Sequence, residues 1–136
     1  MKLRLGTALL NLSTVDSRML ICMTNTTADT DEDAATLSAI GTLDEYDGSG
    51  YVRKTMGGEA IAQDATNDRA EFTVTSPIVW TALGAGTRAA AGILLYEHVD
   101  GTAANDRPIA WFDASFTGNG TDVTATVASE GLLFIS

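Results

Sequence analysis

The sequence predicts an all-β domain, an antiparallel two-sheet sandwich of jelly-roll or Greek-key type with about eight strands. Three observations lead there. Short apolar or alternating segments recur at close spacing, separated by turn signals such as Asp47-Gly48-Ser49-Gly50, Gly57-Gly58 and Asn119-Gly120. Thr, Ala, Gly and Asp dominate while Lys and Pro are scarce. The longest apolar run, Ala89 to Tyr96, is followed by a turn-rich segment, Val99 to Arg107, and a second apolar segment, Pro108 to Phe116. Two strands joined by one loop is the economical reading of that stretch, and a closed barrel is the alternative architecture.

The 136 residues, 45% hydrophobic and 19% charged, suit one globular domain. Residues 1–16 are expected to form an N-terminal arm or a short local element, and residues 17–136 a single β-sandwich domain. Lys2 and Arg4 ahead of Gly6 to Leu12 superficially resemble a signal sequence. That apolar stretch is short and broken by Asn11, so it is read as part of the mature chain. No stretch approaches the roughly 18 apolar residues a membrane span needs, and a soluble protein is expected.

Taken in order, Leu3 to Leu12 is ambiguous between a short helix and an extended arm. Ser17 to Thr24 is the first strand, and Cys22, the lone cysteine, sits in its apolar run as a small buried hydrophobe. Asn25 to Asp33 is polar and acidic and reads as an exposed loop. Asp33 caps a short helix near residues 33–41, with Leu37 and Ile40 on its inner side. Gly41 to Gly50 is loop, and Tyr51 to Met56 and Glu59 to Asp64 are strands. Arg69 to Val74 alternates cleanly, Ala70, Phe72 and Val74 facing a core and Arg69, Glu71 and Thr73 facing water.

Pro77 places the next strand at an edge or corner, with Trp80 turned inward. Leu83 to Thr87 is a glycine loop leading into the central hairpin. On the first strand of that hairpin Ala89, Ala91, Ile93 and Leu95 fall on one face and Ala90, Gly92, Leu94 and Tyr96 on the other. Both faces are apolar, so this is an interior strand covered on both sides, with Ile93, Leu95 and Trp111 buried. The loop Asp100 to Arg107 is left free to meet a partner. Thr121 to Ala128 sets Val123, Ala125 and Val127 against Asp122, Thr124 and Thr126, and Leu132 to Ile135 closes the chain.

No motif for catalysis emerges. His98, the only histidine, lies beside Glu97 and Asp100, but no Gly-x-Ser-x-Gly elbow accompanies it, and a hydrogen-bonded or exposed strand-end histidine is the simpler reading. Asp29, Asp31 and Asp33 occupy the first, third and fifth positions of a calcium loop. Ala34 stands where that loop needs glycine and Ile40 where it needs a bidentate glutamate, so no metal and no cofactor are expected. A cross-strand pair among Glu59, Glu71, Glu97, Asp113 and Glu130, as a glycosidase requires, has no sequence signature. The pairs Gly48/Gly50 and Gly84/Gly86 lack the lysine and helix of a phosphate cradle and read as turns.

The chain carries 8 basic and 18 acidic residues, a net charge of −10. Such a surface repels phosphate backbones and favours a basic partner, so direct nucleic-acid and membrane binding are not expected. Asp100, Thr102, Asn105 and Arg107 in one loop and Asp29, Asp31 and Asp33 in another are the candidate partner-binding residues.

From Gly50 onward one set of segments carries a resemblance: GYVRKTMGGEAIAQDATNDRAEF, then Trp80, then RAAAGILLYEHVDGTAANDRPIAWFD, then GNGTDVTATVASEGLLFI. The spacing of Asn67-Asp68-Arg69-x-Glu71-Phe72, Trp80, Leu95-Tyr96, Pro108-Ile109-Ala110 and Glu130-Gly131, over about two thirds of the chain, resembles small virion structural proteins of tailed bacteriophages. The resemblance implies a capsid decoration or cement protein, a non-enzymatic β-sandwich on the outer surface of the virion. Its implied partners are the major capsid protein and itself, as a dimer or alternatively a trimer, and it implies no catalytic residues. The alternative is a receptor- or glycan-binding domain of a phage tail fibre or head fibre. That reading predicts an exposed aromatic platform at Trp80, Trp111 or a tyrosine. A hydrolase is the third and weakest reading.

Overall fold

The structure, a computed structural model, describes residues 2–3, 14–126 and 133–135. Within them the chain is mostly β. The strands are β1 Lys2–Leu3, β2 Asp16–Met23, β3 Lys54–Thr55, β4 Ala60–Asp64, β5 Arg69–Thr73, β6 Ile78–Leu83, β7 Ala90–His98, β8 Arg107–Phe116, β9 Thr121–Ala125 and β10 Leu133–Ile135. Every pairing is antiparallel. They form three open sheets, ordered β1-β8-β7-β2-β3, β10-β5-β4 and β6-β9.

The predicted hairpin is the centre of the largest sheet, with β7 lying between β8 and β2. One face of that sheet packs Met19, Ile21, Ile93, Leu95 and Ile109 against Phe72, Ile78, Trp80 and Leu83 from the two smaller sheets. The other face packs Leu20, Cys22, Leu94, Tyr96 and Trp111 against Ala34, Leu37 and Ile40. An uninterrupted apolar strand is therefore buried on both sides, because sheet covers one face and the long 24–43 connection covers the other. Ile93, Leu95 and Trp111 are buried as expected.

The strict alternation drawn for this strand is corrected at its start. The register shifts between Ala90 and Gly92, a bulge that moves Ala90 to the side of Ile93 and Leu95 and turns Ala91 towards Leu94 and Tyr96. Gly92 is needed beside it, since a Cβ there would lie 2.2 Å from Cζ2 of Trp111. The indole thus packs directly on the backbone of β7.

Other expectations shift as well. The helix drawn over residues 33–41 is a single 3₁₀ turn, Leu37–Ala39, preceded by Thr36 rather than capped by Asp33. Ala34, Leu37 and Ile40 still point inward, so burial of three side chains, not helix propensity, shapes the segment. The strand drawn from Tyr51 to Met56 shrinks to Lys54–Thr55, and ahead of it the side chains of Tyr51 and Arg53 both bond Glu45. Pro77 does sit just outside β6, which pairs with β9 alone. Trp80 is fully buried with its Nε1–H donating to the Val52 carbonyl at 2.9 Å. Val127, Glu130, Leu132 and nearly all of the Leu3 to Leu12 segment lie outside the described residues, although Lys2 and Leu3 pair with Trp111 and Ala110.

Candidate partner-binding loops

The two loops singled out in the sequence meet. The Leu37 N–H donates to the Asp106 carbonyl at 2.9 Å and the Ser38 N–H to that of Ala103 at 3.0 Å. The 24–43 connection and the hairpin tip 99–106 are thereby fastened into one surface at one end of β7 and β8.

The tip is not the free loop expected. Asp106 is wholly buried. Its Oδ1 accepts from the Val99 N–H at 2.8 Å, and its Oδ2 lies 3.2 Å from Nδ1 of His98. The loop doubles back, and a carboxylate inside it has to bond the chain it folds over. Asp100 caps the Thr102 N–H at 2.9 Å and accepts from Asn105 Nδ2 at 2.7 Å. Those bonds, the backbone N–H of Thr102 first, hold the Asp100 carboxyl below the usual carboxylate range. Asp100, Thr102 and Asn105 are solvent-exposed on a rigid frame. Arg107, also exposed, pairs with Glu97 across the hairpin at 3.1 Å.

In the acidic loop the three candidates separate. Asp31 is a clamp, its Oδ2 accepting from Thr27 Oγ1 at 2.6 Å and from the Gly41 N–H at 2.7 Å. It closes the two ends of the connection over the sheet. Asp29 and Asp31 line a small cleft of about 30 Å³ with Ala28, Ile40, Ile109 and Trp111, while Asp33 is exposed and lines none of it. Ala28 packs on the core, so the segment is only partly the solvated loop expected. Among the described residues no three His, Cys, Asp or Glu side chains gather as a metal site.

Beside the tip lies a cluster that sequence reading missed. Arg53 binds Glu45 through two bonds, Nε to Oε1 at 2.9 Å and Nη2 to Oε2 at 2.7 Å. Its guanidinium lies 5.4 Å from the centroid of the Tyr96 ring and 3.9 Å from Asp106. The Tyr51 hydroxyl donates to the same Glu45 at 2.7 Å. Burial raises the Glu45 carboxyl, but bonds from Arg53 and Tyr51 outweigh it and the net shift is downward. Burial, then the Glu45 charge, pushes the Tyr51 phenol well above its ordinary range. A half-buried bidentate ion pair needs all its partners fixed, so the cluster braces the loops rather than offering a proton donor.

Arg18 likewise pairs with Asp16 and Arg88 with Asp44. Each arginine whose side chain is described is thus matched to a carboxylate, and the excess negative charge lies on the surface. Neither tryptophan is exposed, which removes the indole platforms a glycan site would use. No protein-family model, curated protein or solved structure matches the chain.

Proposed function

We propose that this chain is a structural protein of a bacteriophage virion, a capsid cement or decoration protein. It binds the outer surface of the major capsid protein shell and bridges neighbouring capsomers, its sheets acting together as a jelly-roll or Greek-key sandwich. The observation that carries the reading is how the polar side chains are spent. His98, Asp106, Glu45 and Asp31, the titratable groups of this region, are consumed in bonds that stiffen loops. What remains outward is a preorganised acidic surface carrying Asp100, Thr102 and Asn105. Rigid loops bind at lower entropic cost, and many weak copies on a lattice stabilise it through multivalency. The resemblance over residues 50–136 points the same way. A receptor- or glycan-binding fibre domain is less well supported, because Trp80 and Trp111 are internal.

The test is the composition of purified particles together with rebinding. Stripped shells should take up the purified chain in many copies, withstand heating better once loaded, and bind less as salt rises. Presence in only a few copies per particle, or no uptake by shells, would overturn the reading.

A further inference from the structure

We propose that two copies of this chain pair through the outer edge of β4, antiparallel, so that β10-β5-β4 of each becomes half of one continuous sheet. Among the described residues no strand lies beyond β4. Exposed edges are ordinarily guarded by brevity, lysine, proline or bulges. Two other edges in this fold are: β3 is two residues long and carries Lys54, and β6 follows Pro77 and has a register shift between Trp80 and Leu83. β4 has none of these, and its register with β5 runs unbroken from Ala60↔Thr73 to Asp64↔Arg69.

The face of β4 also continues the core beyond its last strand. Ile61 stands directly opposite Phe72, yet Phe72 is 3% exposed and Ile61 53%. A further strand carrying an apolar residue at that position would extend the core by one row.

Charge selects a second copy as that strand. At a net charge of −10, copies repel wherever acidic surfaces meet, and a basic partner is drawn to those same surfaces. Ala60, Ile61, Ala62 and Gln63 are uncharged. With Ile61 opposite Ile61 of the second copy, Glu59 faces Gln63 and Ala60 faces Ala62, and no acid meets an acid. A slip that sets Ile61 against Ala62 would place Glu59 against Asp64, which disfavours that register. Edge pairing of one short strand buries less than the ~800 Å² per partner of a stable complex, so the dimer is weak and concentration-dependent. Neighbouring sites on a shared surface would reinforce it.

The test uses the full chain without shells, so its failure leaves shell binding standing. Sedimentation velocity over a concentration series should show a monomer–dimer equilibrium, and Ile61→Lys should weaken it at least tenfold with an unchanged melting temperature. Cys22 is buried, and burial pushes its thiol up to about 12. Ile61→Cys therefore adds the only reactive thiol, and it should cross-link between copies far faster than Val52→Cys at the similarly exposed Val52, 57% against 53%. A wild-type chain monomeric at every concentration, a dimer indifferent to Ile61→Lys, or equal cross-linking of the two cysteine variants would overturn the proposal. Loss of shell binding in Ile61→Lys alongside a monomeric wild type would assign the edge to the shell instead.

Discussion

Replacing Tyr46 by phenylalanine removes one oxygen and, on this structure, unfastens three loops. The Tyr46 hydroxyl donates to the Gly84 carbonyl at 2.9 Å and accepts from the N–H groups of Gly86 and Gly118 at 2.9 and 3.2 Å. It ties the turn entering β7 and the turn leaving β8 to the segment that precedes β3. Gly118 is glycine because a Cβ there would sit 2.7 Å from that hydroxyl and 2.3 Å from the Gly84 carbonyl oxygen. Its N–H is buried and has no water to turn to, whereas Gly84 and Gly86 are half-buried. An unsatisfied buried group costs about 1–3 kcal/mol and a partly hydrated one less, so the loss should total about 2–4 kcal/mol.

For a chain of this length that corresponds to a fall in melting temperature of roughly 7–14 °C. Chemical denaturation of wild type and Tyr46→Phe at neutral pH measures it, with Tyr96→Phe as the control. The Tyr96 hydroxyl accepts a single long bond, 3.4 Å, from Arg53, and its removal should cost below about 1 kcal/mol. A Tyr46→Phe variant within about 0.5 kcal/mol of wild type would refute the argument that this hydroxyl organises the loops, since the ring itself is kept.

Asp106→Ala should destabilise the domain by about 1–3 kcal/mol, because it removes the acceptor of the Val99 N–H and the partner of His98, while Asp100→Ala should leave the midpoint nearly unchanged; equal effects in a denaturation series would contradict the buried-brace reading. Gly92→Ala forces Trp111 off the β7 backbone and should cost about 1–3 kcal/mol, with a shift in tryptophan emission as the local readout. Acid should weaken the fold. Asp16, through its Arg18 bonds, and Glu45, through bonds that outweigh burial, titrate below their ordinary 3.8 and 4.5. Their contribution is complete above those values and is lost as pH falls through the lower folded ones, so denaturation midpoints should hold between about pH 7 and 5 and drop below about 4.5. Glu45→Gln should make that acid limb shallower.

The elements legible in the sequence were those whose signal is local. Alternation marks β5, two-sided apolarity marks β7, and Pro77 sets the start of β6, since each is a property of consecutive residues. The failures share one cause, a partner distant in sequence. Tyr51 and Arg53 alternate well enough for a strand, but Glu45 draws them into a cluster with Tyr96, 43 residues from Arg53. Tyr46 looks like one more residue of a glycine-rich loop until Gly118, 72 residues on, is seen to bond it. Asp106 reads as the middle of a solvated Asn-Asp-Arg turn, and its near-copy at Asn67-Asp68-Arg69 keeps that character, with Asp68 exposed at φ +50°. The two turns differ in backbone at the aspartate and in what the chain folds over them.

That contrast bears on which loop can meet a partner. A turn whose acid is exposed can lose it without consequence for the fold, whereas the 99–106 tip is held from within by Asp106 and from below by the 3₁₀ turn at Leu37. The outward groups Asp100, Thr102 and Asn105 are presented in one arrangement, with little entropy left to lose on association. For a chain at −10 in which Arg18, Arg53, Arg88 and Arg107 are already paired, this frame determines where attraction to a basic surface becomes specific rather than diffuse. Charge alone draws such a chain to any cation, while fixed acceptors at the tip favour donors spaced to meet them.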